Sequence, residues 1–212
     1  TLGKQHSANA QPTRPRLGKY PFDLIVCDVL SMCESRNGFT KLVLFIDSLT
    51  RWIEAIPVWG EPTSAEFLDL FMWHVVCRHG APRGIVCDDA NNLGSQLCQE
   101  VLSQTGVNLR QSTAEHHETA GSAERANKTI VDLLRCTNEG GSRWDEELPF
   151  ALLWMRSTPN RLTRRSPSRM LYGREVRQPM QLLEPSQCPD GLRLLADGEV
   201  GYADRLRDLL IG

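Results

Sequence analysis

The sequence predicts an α/β protein built on a five-stranded mixed sheet with helices on its faces, and three observations carry that expectation. Strand-patterned segments come three in a row at 22–30, 40–48 and 51–58. Two short apolar segments, 84–87 and 107–111, then alternate with helical patterns at 63–79, 93–105 and 121–137, and a further helical pattern at 144–157 closes the series. Strands joined by short loops pair antiparallel, whereas strands separated by a helix pair parallel, so the sheet is mixed.

Each element has a local reason. The first segment, FDLIVCDVL, is almost wholly apolar, and Asn37-Gly38 after it is a hairpin signal. TKLVLFIDS and RWIEAIPV complete an antiparallel meander. Thr63-x-x-Glu66 is a capping box with Pro62 before it, and Phe67, Leu70, Phe71, His74, Val75 and Arg78 follow at helical spacing until Gly80 and Pro82 stop the helix. On the helix at 121–137, Ala123, Ala126, Ile130 and Leu133 form the core stripe, and Glu124, Asn127, Lys128, Val131 and Arg135 share another face.

At 212 residues, 41% apolar and 24% charged, the chain is of ordinary globular composition and long enough for one domain with appendages. Residues 1–19 read as a linker or tail, 20–179 as the folded core, and 180–212 as a C-terminal linker with a weak helix. No apolar run approaches the roughly 18 residues of a membrane span, and no basic-then-apolar leader opens the chain. The seven cysteines are odd in number, with no C-x-x-C pair, which argues against a disulfide framework and for a reducing compartment; Cys27 and Cys87 read as small strand hydrophobes. Trp52, Trp73, Trp144 and Trp154 read as core residues, and Asp47 and Glu54 as structural acids of the meander. The net charge of −2 hides a polarity: residues 121–180 hold 11 Lys/Arg against 7 Asp/Glu, the remainder 13 against 19. That segment suits a polyanion.

Asp28 stands inside the first apolar strand, Asp88 and Asp89 just beyond the fourth, and Glu124 near the start of a helix. An unpaired carboxylate in an apolar strand is costly to bury, so Asp28 calls for a partner. Three acids converging at the carboxyl ends of strands can share two Mg²⁺ or Mn²⁺ ions, which clamp the attacking and leaving oxygens of a phosphoryl transfer. Between Asp88 and Glu124 lie 35 residues.

That D,D(35)E spacing and the motifs around it resemble the catalytic core of retroviral-type integrases, most of all those of gypsy-type LTR retrotransposons. The resemblance runs through Asp28-Val-Leu, Asp47-Ser-Leu-Thr-Arg-Trp-Ile-Glu-Ala-Ile-Pro57, His79-Gly-Ala-Pro82 and Cys87-Asp88. It continues through Thr113-Ala-Glu-His116, Glu124-Arg-Ala-Asn127-Lys-Thr129, Trp144-Asp-Glu-Glu-Leu-Pro149, Thr158-Pro-Asn160, Ser166-Pro167 and Leu171-Tyr-Gly-Arg174, covering about residues 20–179. It implies a ribonuclease-H-like fold and a metal-dependent polynucleotidyl transferase that trims 3′ ends and joins them to target DNA. Asp28, Asp88 and Glu124 would be the catalytic residues and the ligands of two Mg²⁺ or Mn²⁺ ions. Lys128, His116, Asn127, Arg135, Arg164 and Arg165 would contact DNA. The partners implied are element-end and target DNA and further copies of the chain, with no membrane, and the location is the nucleus after a cytoplasmic phase.

The chain also departs from the family pattern. Ala90 stands where Gly is usual, Asp89 precedes it, Glu115 and Glu118 add acid to the loop before Glu124, and Val131 replaces a common Lys. These positions define a rival expectation from another class: a domesticated, catalytically weak domain acting through DNA or protein binding.

Overall fold

The structure, a computed structural model, describes residues 18–87, 102, 105–111, 117–136 and 143–177, with the backbone alone at 110–111, 117–124 and 135–136. The helix expected at 93–105, apart from Leu102 and Thr105, and the segments before 18 and after 177 lie outside the described residues.

Strand β1 (Leu24–Ser31) pairs antiparallel with β2 (Lys41–Asp47), which pairs antiparallel with β3 (Ile53–Val58). On its other side β1 pairs parallel with β4 (Gly84–Cys87), and β4 pairs parallel with β5 (Asn108–Gln111). The order is β3-β2-β1-β4-β5, the five-stranded mixed sheet that the sequence predicts. The β1–β2 loop closes through Ser35, whose N–H donates to the Phe39 carbonyl, and Gly38 takes a φ of 81° there, a conformation open to glycine.

Helix α1 (Ser64–Phe71) opens on the predicted capping box: Thr63 accepts from the Glu66 N–H while the Glu66 carboxylate accepts from the Thr63 N–H. The helix continues through a π-helical turn, Met72–Val76, and a last turn, Cys77–His79, before Gly80. The long helix α2 (His117–Cys136) begins four residues earlier than its apolar pattern indicated. Helices α3 (Trp144–Ser157) and α4 (Pro167–Tyr172) follow; Ser166 caps α4 and Gly173 ends it at a φ of 72°.

Strand alternation divides the core. Ile25, Cys27, Val43, Phe45, Ile85 and Cys87 face one layer with Phe67, Phe71 and Val75 of α1. Val26, Leu42, Leu44, Ile46 and Ile53 face the other with Ile130 and Leu134 of α2 and Trp144, Leu148 and Leu152 of α3. A charged node sits at the edge of the first layer. Glu54, 5% exposed, accepts from Trp52 Nε1 at 2.9 Å and Arg156 at 2.8 Å, and its Oε1 lies 3.0 Å from His79 Nε2. Arg156 also donates to the Ile53 carbonyl and lies over the Trp52 ring, and His79 stacks on Phe22. Burial pushes the Glu54 carboxyl up, but the His79 bond and the Arg156 charge outweigh it and hold the group below its ordinary value.

Two expectations are corrected. Trp73 is 70% exposed rather than core, because it lies two residues from Phe71, about 200° round the helix from the buried Phe67–Phe71–Val75 stripe. Trp52 and Trp144 are buried, as expected, and Trp154 is half-buried. Cys27 and Cys87, read as separate hydrophobes, form a disulfide: the parallel register sets them opposite each other with Cα atoms 5.1 Å apart. Among the described residues no helix is long and apolar enough to cross a membrane.

Candidate active site

Asp28 follows Val26 on the face of β1 that α2 covers, so strand alternation aims it at that helix. It is half-buried. Its Oδ1 accepts from the Val29 N–H at 2.8 Å, and its Oδ2 accepts from the Asn127 side-chain amide across the gap from β1 to α2. The partner that an acid in an apolar strand calls for thus comes from a residue 99 positions away, which the sequence had grouped with the DNA contacts. The Asn127 Oδ1 is buried and has no hydrogen-bond partner among the described residues.

Asn127 also fixes how α2 presents its other residues. Glu124 stands on α2 three positions earlier, on the same side of the helix by periodicity, with its side chain outside the described residues. Lys128 is exposed. Arg135 ends α2 with its side chain undescribed, and His116 and Asp88 lie outside the described residues, as do Asp89, Ala90 and Glu115. In sequence, Asp28 and Asp88 are the residues that directly follow the paired Cys27 and Cys87. Among the described residues no group of three or more His, Cys, Asp or Glu side chains is placed to hold a metal.

The turn after β2 is built by Asp47. Its carboxylate, fully buried, accepts from the Phe22 N–H, the Thr50 N–H and the Thr50 hydroxyl, which bears out its structural role. The turn carries Arg51 at a φ of 66°. Arg161, Arg164 and Arg165 are exposed in the connection between α3 and α4, Arg164 at a φ of 57°.

A five-stranded mixed sheet of this order with helices on both faces is a ribonuclease-H-like fold. The comparisons with solved structures agree. The chain superposes on a chain of the simian T-cell lymphotropic virus intasome in complex with the PP2A regulatory subunit B56γ, with a TM-score of 0.63, 19% identity, 81% of this chain and 62% of that one. It superposes likewise on the magnesium complex of the HTLV-2 integrase catalytic core domain, TM-score 0.57 and 19% identity over 73% of this chain and 99% of that one, and on the BIV integrase catalytic core domain, TM-score 0.59 and 13% identity over 72% and 95%.

The chain is homologous to part of the retroviral Gag-Pol polyprotein. It is 31% identical over 148 residues to that of gibbon ape leukemia virus, covering 69% of this chain and 9% of the polyprotein, and 33% identical over 138 residues to the Pol polyprotein of feline endogenous virus ECE1, covering 64% and 13%. It spans about a tenth of the length of the curated relatives it matches. No protein-family model matches the chain.

Proposed function

We propose that the chain is the DNA-joining core of an LTR-type element, a metal-dependent polynucleotidyl transferase with the D,D(35)E spacing of retroviral-type integrases and gypsy-like motifs around it. Asp28, Asp88 and Glu124 are the catalytic residues of this reading, and the single observation that carries it is the Asn127–Asp28 hydrogen bond, which ties the acid of β1 to the helix bearing Glu124.

The described residues fit a hard divalent cation. Asp28 offers carboxylate oxygen, the ligand type of Mg²⁺ and Mn²⁺, and accepts from the Val29 and Asn127 amides. The unpartnered Asn127 Oδ1 beside it is an acceptor suited to the water shell that Mg²⁺ tends to keep. Asp28, Asp88 and Glu124 would hold two ions, which supply Lewis-acid stabilisation to the attacking and leaving oxygens. The rest falls to the chain's own side chains. Asn127 orients the Asp28 carboxylate, the Val29 amide fixes its other oxygen, and Lys128, one residue on, offers a cation to a DNA phosphate. His116, Arg135, Arg164 and Arg165 are further DNA contacts of this reading. On this reading the protein acts in the nucleus after a cytoplasmic phase, and assembly as a dimer or larger oligomer follows the named dimeric and trimeric forms of the HTLV-2 core. No observation favours the domesticated alternative, whose arguments rest on Asp89, Ala90, Glu115, Glu118 and Val131.

The test is strand transfer with Glu124→Gln. The variant should fold, melt within a few degrees of wild type, and lose Mg²⁺-dependent joining of a labelled 3′-OH end; joining at the wild-type rate overturns the triad.

A further inference from the structure

We propose that a second cleft, on the flank of α2 turned away from Asp28, binds one nucleotide unit of single-stranded DNA, its phosphate against arginines and its base against an apolar wall. The inference rests on the DNA-acting reading above and names a site outside the carboxylates.

The cleft holds about 490 Å³, within the roughly 300–1,000 Å³ range of small-ligand sites. Arg51, Arg125, Lys128 and Arg161 line it, and Asp132 is the one acid among its lining residues. Its wall is apolar, with Ile53, Trp154, Met155 and Leu162, the last 57% exposed at the rim. Cations bind a phosphate, and an aromatic side chain such as Trp154 can take the face of any base; this pairing is how single strands are held without sequence preference. A duplex keeps its bases stacked inside and has none to offer a cleft of this kind. An acidic peptide would satisfy the arginines and leave the wall unused.

Two features indicate a ligand rather than a solvated basic face. Arg51 keeps a left-handed backbone, uncommon for a residue with a Cβ, on a turn locked by the buried Asp47. Burial lowers the Arg51 pKa, Asp47 opposes that, and Arg125 adds to it. The fold thus sets a partly desolvated guanidinium at the cleft, with Asp47 and Arg125 acting on it in opposite senses. The cleft also joins the candidate active site round one helix: Asn127 bonds Asp28, and Lys128, about 100° further round, lines the cleft. A strand leaving the Asp28 face crosses α2 to reach it.

The test is fluorescence anisotropy with the whole chain, a labelled 15-mer oligothymidylate and EDTA, so that no metal contributes. Wild type should bind it, and R125E/R161E should weaken binding about 100-fold, near tenfold per reversed charge, with a shallower salt dependence. R161E alone, at an exposed position, should weaken it about tenfold with an unchanged melting temperature. R174E, the same charge change outside the cleft, should stay within about threefold. An abasic oligonucleotide of equal charge should bind about tenfold more weakly than oligothymidylate, because stacking on the wall is lost. Binding by R161E within twofold of wild type, equal binding of the abasic strand, or equal binding of a poly-glutamate peptide overturns the proposal. Asp28→Asn separates the two readings: it should abolish joining and leave this binding intact. Loss of cleft binding with joining retained refutes only the cleft.

Discussion

Replacing Asn127 by alanine isolates the contact on which the candidate site turns. The Nδ2 amide donates to a carboxylate, and a hydrogen bond to a charged group contributes about 1.5–3 kcal/mol. The same side chain buries an Oδ1 that has no partner among the described residues, an arrangement that costs about 1–3 kcal/mol. Alanine removes both, so the two changes offset and global stability should shift by about 1 kcal/mol or less. Activity has no such offset. Asp28 keeps the Val29 amide on Oδ1 but loses its tether to α2, and a lost 1.5–3 kcal/mol of orientation corresponds to about 10- to 100-fold in rate. The assay pairs urea unfolding with single-turnover strand transfer. A variant that joins DNA at the wild-type rate, or one destabilised by more than about 3 kcal/mol, would refute the reasoning, since the contact would then be idle or merely structural.

Two further predictions concern the scaffold. Glu54→Gln leaves Arg156 buried without its counter-charge and should cost about 3–5 kcal/mol, a fall in melting temperature of about 6–20 °C for a domain of this size. Because the folded Glu54 pKa lies below the unfolded value of 4.5, its stabilisation is complete above that pH and drains away as pH falls through the folded value; wild type should lose stability steeply there and Glu54→Gln should not, which melting at stepped pH would show. Reducing the Cys27–Cys87 bridge, which spans 60 residues, should lower stability by about 4 kcal/mol; an unchanged melting temperature after reduction of a bridge verified by mass would contradict this.

What was legible in the sequence was what is local. The apolar runs of β1 and β2, the Thr63–Glu66 capping box and the Phe67–Phe71–Val75 stripe each act within a few residues, and the structure has them where the pattern put them. The side of the sheet that Asp28 faces follows from strand parity once the layers are known. The rest depended on long-range placement. Glu54 meets His79 and Arg156 from 25 and 102 residues away, Asn127 meets Asp28 from 99, and the cysteines meet through a strand register that no spacing rule reveals. Trp73 was misjudged from residue type when helical phase already turned it outward. The cleft beside α2 draws its cations from a turn, a helix and a loop, and of these only Lys128 was among the DNA contacts that the sequence suggested.

The claim that matters most is that Asp28, Asp88 and Glu124 act together on DNA. A disintegration assay on a branched DNA substrate with Mn²⁺, wild type beside Asp88→Asn, tests it directly. The account predicts resolved product from wild type and none from the variant at equal melting temperature. Equal product from both, or no product from folded, metal-loaded wild type, would contradict it.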